Sequence, residues 1–569
     1  MVEKKVSKKL MDVALGNLAP DMALDGVTVF NAFTGEFVEN QLILIKDGRF
    51  AYVGKPFDYP KGESTEIINC NGLIAIPGLI DAHTHIIFRS GLKEYIKHAI
   101  PSGVTTIITE TIELATICGK DGIEYFVAPF EKQPINMFYT IPALCGLTEE
   151  EERKALTWED MLDLLEDEKC LGLGEIYWGN AFIEGAQGRR ILDLVDLTLS
   201  LGKRVEGHTA GAKENKLQAY TLLGVSSCHE PISEEEVLER LRLGYWVMVR
   251  EGSIRRELDG IKGIFKRDID FRRLVLSTDG VDPEGFMEEG YLDYSLKRLL
   301  SLGVPPSICY QMVTINPAEH FRLDDIVGSI APFRSADLVL IPSPEDYRPI
   351  TVICRGKKIY EKEEILVDPI EADFPEYMFN TVHFKEINIP DPPRGKVRMM
   401  EQVTRLVTRE TFSSTEDEDV NMVLAIDRMG SGRSFLGFVK GYGLKRGACG
   451  STMCWDTGDA IVVGCDKRSM ETVLKRLQEI QGGAVFAIGD NVISEYRAPV
   501  CGIISLEPME KLYRDIKFLE RSLRENGVKW EKPLLTIDTM GTTAIPHLRI
   551  THRGYVRMKD RKILNLYDS

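Results

Sequence analysis

No stretch of this 569-residue chain stays apolar for the roughly 20 residues that a membrane-spanning helix needs, so no membrane span is expected. No secretory signal is expected either. Residues 1–10 are lysine-rich, but Asp12, Asn17 and Asp21 interrupt the next stretch before an apolar core can form. Basic residues are in deficit, 70 against 87 acidic ones for a formal charge of -17. With no basic stripe to offset it, this balance argues against nucleic acid or an anionic membrane as partner. The eleven cysteines are an odd number scattered from Cys70 to Cys501 and make no disulfide framework. A cytoplasmic protein is expected, and no internal repeat is found.

What is present is an ordinary globular composition, 44% hydrophobic and 28% charged, in a chain long enough for about three or four folding units. Histidine is sparse, nine in all. Two of the nine, His83 and His85, end the apolar stretch 73–85, which reads Leu-Ile-Ala-Ile-Pro-Gly-Leu-Ile-Asp-Ala-His-Thr-His. Alternate residues of a strand share a face, so both imidazoles can reach one metal ion. A strand apolar along its length and polar at its carboxyl end suits a buried parallel strand that opens into an active site.

Short β patterns over residues 27–30, 42–45, 50–53 and 66–68 precede that stretch, separated by turn signals such as Asp47-Gly48. From residue 73, strand-like and helix-like segments alternate as βα units. Strands are expected at 73–85, 104–110, 135–141, 171–177, 204–208, 225–229, 245–251 and 274–279, which is the number for a closed (β/α)₈ barrel. Five of the eight tips carry metal-ligand side chains: His83 and His85, Glu175, His208, His229 and Asp279. Four histidines and two carboxylates suit zinc, iron or manganese, and a glutamate can bridge two ions through its two oxygens. Glu206 and Glu230 are candidate outer partners, with Glu230 expected to point away from the ligand face. Cys449 and Cys454 read as packed thiols.

The expected division is residues 1–71 and 323–367 as two halves of a small β-sandwich domain, with the barrel of 72–322 inserted between them. A proline-rich linker comes next at 368–394, then a carboxyl-terminal α/β domain at 395–569.

The run Pro77-Gly78-Leu79-Ile80-Asp81-Ala82-His83-Thr84-His85, with the later Glu, His, His and Asp, resembles the metal-dependent amidohydrolase superfamily. More narrowly, the order of pieces along the chain is similar to that of the bacterial and archaeal adenine deaminases. Those pieces include Gly172-Leu173-Gly174-Glu175, Thr314-Ile315-Asn316-Pro317-Ala318, Gly437-Phe438-Val439-Lys440-Gly441-Tyr442-Gly443, and Ile545-Pro546 followed by Leu548-Arg549-Ile550-Thr551. The resemblance implies two divalent ions, manganese or ferrous iron ahead of zinc. His83, His85 and Asp279 would hold one ion, and His208 and His229 the other. Glu175 would bridge them in place of the modified lysine of relatives.

It further implies hydrolysis of the exocyclic amine of adenine, a purine-salvage reaction, with Asp279 carrying the proton from water to the leaving nitrogen. A homo-oligomer, dimer or larger, is expected. The departures from the family pattern lie where the substrate is read: Ile86-Ile87-Phe88-Arg89-Ser90 after the histidine pair, Gly280 with Asp282 beyond it, and Trp455-Asp456-Thr457-Gly458-Asp459. Arg89 and Trp455 would favour an anionic or larger ring. The same site would also serve another heterocycle or a cyclic amide. A non-catalytic metal scaffold is disfavoured by the complete ligand set.

Overall fold

The computed structural model describes residues 6–567 except 148–150, 152, 153, 386 and 546. Residues 1–5 of the lysine-rich amino terminus and Pro546 of the quoted motif therefore lie outside the described residues.

The barrel strands are Leu79–Thr84, Val104–Thr109, Asn136–Ile141, Cys170–Tyr177, Arg204–His208, Ser227–Cys228, Trp246–Arg250 and Leu274–Ser277. All pairings between them are parallel, in one ladder of strands one to five and another of six to eight. Two backbone bonds close the ring. Ser226 N–H donates to the Val205 carbonyl at 3.0 Å, and Asp279 N–H to the His83 carbonyl at 3.0 Å. Helices cover the outside, so these strands are buried on both faces and carry the near-continuous apolar runs seen in the sequence.

The stretch 73–85 is two strands rather than one. Ile74–Pro77 belongs to the small β domain, where it pairs parallel to Met22–Asn31 and antiparallel to Leu338–Ile341; Leu79–Thr84 then enters the barrel. The break falls at Pro77-Gly78, because proline has no N–H for a ladder and the Gly78 Cα packs so closely on Thr105 that a Cβ would collide with it. One apolar run thus stitches two layers together. The chain leaves the small sheet beside the strand on which it returns. Leu338–Ile341, Thr351–Cys354, Lys357–Glu361 and Glu364–Ile365 complete a nine-stranded hydrogen-bonded sheet with the amino-terminal strands.

The last third holds an eight-stranded sheet running from Lys396–Gln402 to Asn491–Arg497 and a three-stranded one from Leu548 to Leu564. Helix Lys467–Ile480, capped by the Asp466 side chain, buries Met470, Val473, Leu474 and Leu477; that spacing makes one apolar helix face. This unit docks on the barrel mouth. Ile504–Ser505 pairs parallel to Arg89–Ser90, which begins four residues after His85. Lys532 Nζ lies 2.6 Å from Asp282 Oδ2, and Met453, Trp455, Ile503 and Ile504 share one apolar core with barrel residues. Among the described residues no helix is long and apolar enough to cross a membrane.

Candidate metal centre

All six tip residues meet at the mouth of the barrel. Asp279 sits just past the last strand with φ +56°, a left-handed conformation that aspartate tolerates better than most residues. Its Oδ1 lies 3.2 Å from His83 Nε2 and 3.7 Å from His85 Nε2. Glu175 reaches to the centre, and its two oxygens face different partners. Oε1 is 3.4 Å from His83 Nε2 and 3.3 Å from His85 Nε2. Oε2 is 2.7 Å from His208 Nδ1 and 3.5 Å from His229 Nε2. Two groups of ligand atoms, each compact enough for one ion, therefore share this single carboxylate.

The outer nitrogens of the first histidine pair are held by acids that the sequence reading did not single out. His85 Nδ1 is 2.7 Å from Glu113 Oε1, and His83 Nδ1 is 3.3 Å from Glu110 Oε1. A carboxylate there accepts a hydrogen bond from Nδ1–H, which aims the Nε2 lone pair inward. His83 Nε2 is buried and meets only the carboxylates of Asp279 and Glu175, without hydrogen-bond geometry to either. Imidazole nitrogens and carboxylate oxygens converging on one point fit a cation, so the donor set suits divalent metal.

The electrostatics agree. Burial opposes charging His83 and His85, yet acceptors outweigh it and raise both well above the usual imidazole value: Asp279, Glu110 and Glu175 for the first, Glu113 and Glu175 for the second. Burial likewise opposes ionising Glu175 and Asp279, but the histidines, with Arg250 beside Asp279, hold both below the usual carboxylate range. His229 goes the other way, lowered by burial and by the charge of His83 stacked 4.2 Å from it.

Several outer residues fall differently from expectation. Glu230 turns toward the site. Its Oε1 is 3.5 Å from His229 Nε2 and 3.7 Å from His208 Nδ1, and it pairs with Arg250. The sixth strand ends at Cys228, so strand alternation no longer governs residue 230. Glu206 lies in the barrel interior, hydrogen-bonded to Ser227 and to His320 at 2.8 Å rather than to any of the six. Arg89 does not face the cavity. It is fully buried, ion-paired with Asp538, with its guanidinium 4.9 Å from the Phe88 ring centroid. Asp282 caps helix Pro283–Glu288 and binds Lys532. Cys449 and Cys454 are buried in the carboxyl-terminal unit, where burial pushes Cys454 up to about 12.

Arg250, at the tip of the seventh strand, was not anticipated. Its Nη1 lies 3.2 Å from Asp279 Oδ2, fixing which oxygen turns inward.

Over the cluster lies a cavity of about 290 Å³, walled by His85, Ile112, Tyr177 and Ile254 of the barrel and by Leu406, Trp455, Asp456, Thr542 and Ile545 of the last unit. Trp455 stacks on Phe88 at 5.2 Å, and its Nε1 is buried without a hydrogen-bond partner. Asp456 accepts from Thr543 N at 2.6 Å, Ala544 N at 3.0 Å and Tyr177 Oη at 3.2 Å, tying the two units together at the cavity wall.

Two family profiles match the chain, "Amidohydrolase family" over residues 74–359 and "Adenine deaminase C-terminal domain" over 397–562. An adenine deaminase of Thermosipho melanesiensis is 30% identical over 98% of this chain and 99% of its own length. One of Archaeoglobus fulgidus is 31% identical over 98% of each. Among solved structures, a D-hydantoinase has a TM-score of 0.47 at 17% identity, covering 61% of this chain and 97% of its own.

Proposed function

The chain belongs to the adenine deaminase family of amidohydrolases, and from that premise we propose that it hydrolyses adenine or a close 6-aminopurine to the 6-oxopurine and ammonia. The observation that carries this reading is the shared wall of the cavity: Trp455 and Asp456, from the part matched by the adenine deaminase profile, stand over the six tip residues. His83, His85 and Asp279 are the proposed ligands of one ion, His208 and His229 of the other, and Glu175 of both. Zinc, iron and manganese all suit this mixed nitrogen and oxygen set, and manganese or ferrous iron is put first on the family resemblance alone. When bound, such ions supply water that is acidic enough to ionise near pH 7 and a Lewis acid for the substrate.

The chain's own groups do the rest. Asp279 is the proposed proton carrier. It is ionised, its Oδ2 is engaged by Arg250, and its Oδ1 faces inward to accept the proton of the attacking water. The same proton is then delivered to the exocyclic nitrogen, which departs well only as the neutral amine. Glu110 and Glu113 hold the tautomers of the first histidine pair. Trp455, stacked on Phe88, gives the base an aromatic wall, and the apolar walls from Ile112, Ile254 and Leu406 exclude water. We also place the protein in the cytoplasm, a reading supported by its thiols, all free.

The test is a panel of 6-aminopurines, pyrimidines and cyclic amides, offered to protein loaded separately with manganese, ferrous iron and zinc, with ammonia as readout. Ammonia from adenine is the expected result. Ring opening of a cyclic amide, with no ammonia from any aminopurine, would overturn it.

A further inference from the structure

Away from the metal centre, two cysteines from opposite ends of the chain meet. Cys118 lies on the barrel helix Ile112–Val127, one residue before the kink at Gly119, where φ is +60°. Cys501 lies in the turn that leads to Ile504–Ser505. Their Sγ atoms are 2.7 Å apart across a sequence separation of 383 residues. Both are free thiols, Cys118 partly exposed and Cys501 buried. A disulfide bond, at about 2.05 Å, is a shift of well under an ångström away.

A second observation bears on the same spot. The Arg428 guanidinium is fully buried, and none of Nε, Nη1 or Nη2 has a hydrogen-bond partner. It packs directly against the Cα of Gly502, the residue after Cys501. A buried, unpaired guanidinium is costly, and the groups whose charge it feels most are Cys118 and Cys501. Positive charge beside a partly exposed thiol favours its thiolate, the form that attacks disulfides.

We propose that Cys118 and Cys501 are a thiol-modification site that a low-molecular-weight disulfide converts to a reversible cross-link between the barrel and the carboxyl-terminal unit. The Cys118 thiolate attacks one sulfur of the reagent, forming a mixed disulfide and releasing one small thiolate. Cys501 then attacks the Cys118 sulfur and expels the second small thiol, which takes the Cys501 proton. Two electrons pass from the protein sulfurs to the reagent, whose single disulfide becomes two thiols.

The cross-link fastens elements next to the cavity. The Cys118 helix begins with Ile112, on the cavity wall, and Glu113, on His85. The Cys501 turn leads into the strand that pairs with Arg89–Ser90. Oxidation therefore pins the carboxyl-terminal unit over the barrel mouth.

The test uses the full metal-loaded chain with oxidised glutathione, followed by alkylation, proteolysis without reductant and mass spectrometry. Titratable thiols should fall from eleven to nine, with one new linked peptide pair joining residues 118 and 501. Reductant should reverse it, and the oxidised form should melt about 2–4 °C higher. Cys501→Ser should stop at a mixed disulfide on Cys118, and Cys118→Ser, at the more exposed position, should leave Cys501 unmodified. An unchanged thiol count, a wild-type mixed disulfide that never resolves, linkage to other cysteines, or equal melting of the two forms would each overturn the proposal.

Discussion

Replacing Glu113 by glutamine should weaken the first metal position selectively. Glu113 is buried, and its Oε1 is 2.7 Å from His85 Nδ1, while Oε2 has no partner. The glutamine oxygen can keep that bond, and its NH₂ falls where no existing partner is lost, so the perturbation is essentially the charge. Hydrogen bonds to a carboxylate are about twice as strong as neutral ones. Loss of an acid that orients a metal-bound imidazole usually weakens metal affinity about 10–100-fold, about 1.4–2.7 kcal/mol. Because His85 is the one proposed ligand that Glu113 bonds, the ion held by His83, His85 and Asp279 should leave first. A chelator titration followed by elemental analysis should turn from one phase into two, with half the metal lost at lower chelator concentration. Glu110→Gln should do the same more weakly, its contact being longer at 3.3 Å. Wild-type chelator curves in both variants would refute the reasoning.

Other parts of the site and its surroundings give three further outcomes. Asp279→Asn should retain a folded chain but lose about 10²- to 10⁴-fold in ammonia release, the usual worth of a positioned proton carrier; a rate near wild type would reassign the proton. Trp455→Ala removes the aromatic wall beside Phe88, so KM for adenine should rise about 2- to 13-fold, the worth of one aromatic contact, with kcat little changed; an unchanged KM would remove Trp455 from substrate reading. Burial pushes Glu520 up to about 7, so its contribution to stability is complete below about pH 4.5 and is lost as pH rises through 7. The melting temperature of Glu520→Gln should therefore fall less than that of wild type between pH 5.5 and 8, and an equal fall in both would refute the assignment.

The barrel and the six inward residues were legible because strand alternation ties a side chain's face to its position in the run. Together with polar tips on apolar runs, that rule points the six to the mouth: His83, Glu175 and His208 lie within their strands, His85 and His229 one residue past theirs, and Asp279 two residues past the last. It lapsed where a strand stopped early: Glu230 turns inward because the sixth strand ends at Cys228. Glu110, Glu113 and Arg250 escaped notice because their partners belong to other strands, and which strands neighbour one another is a property of the closed ring. Glu110 nevertheless stood at an expected tip, a signal that was there to be used. Arg89 was the plainest miss. Its partner Asp538 is 449 residues away, and no local pattern shows that a carboxyl-terminal helix will neutralise it.

The docking makes truncation a poor probe of the carboxyl-terminal unit. A chain cut near Asp391 would not leave an intact barrel merely short of activity. It would strip Asp538 from buried Arg89 and Lys532 from Asp282, and it would bare the apolar core shared with Trp455, Ile503 and Ile504. Removing one member of a buried ion pair commonly costs about 3–5 kcal/mol, so point substitutions at the cavity wall are the cleaner probes.

Glu175, as the proposed carboxylate joining two metal positions through its two oxygens, is tested most directly by metal content per chain. Elemental analysis after saturating reconstitution and removal of loosely bound metal supplies that number. Two divalent ions per chain in the wild type are expected, with a clear loss of metal in Glu175→Gln while the melting profile stays that of a folded protein. At most one ion per chain in the wild type, or two retained in Glu175→Gln with unchanged affinity, would contradict it.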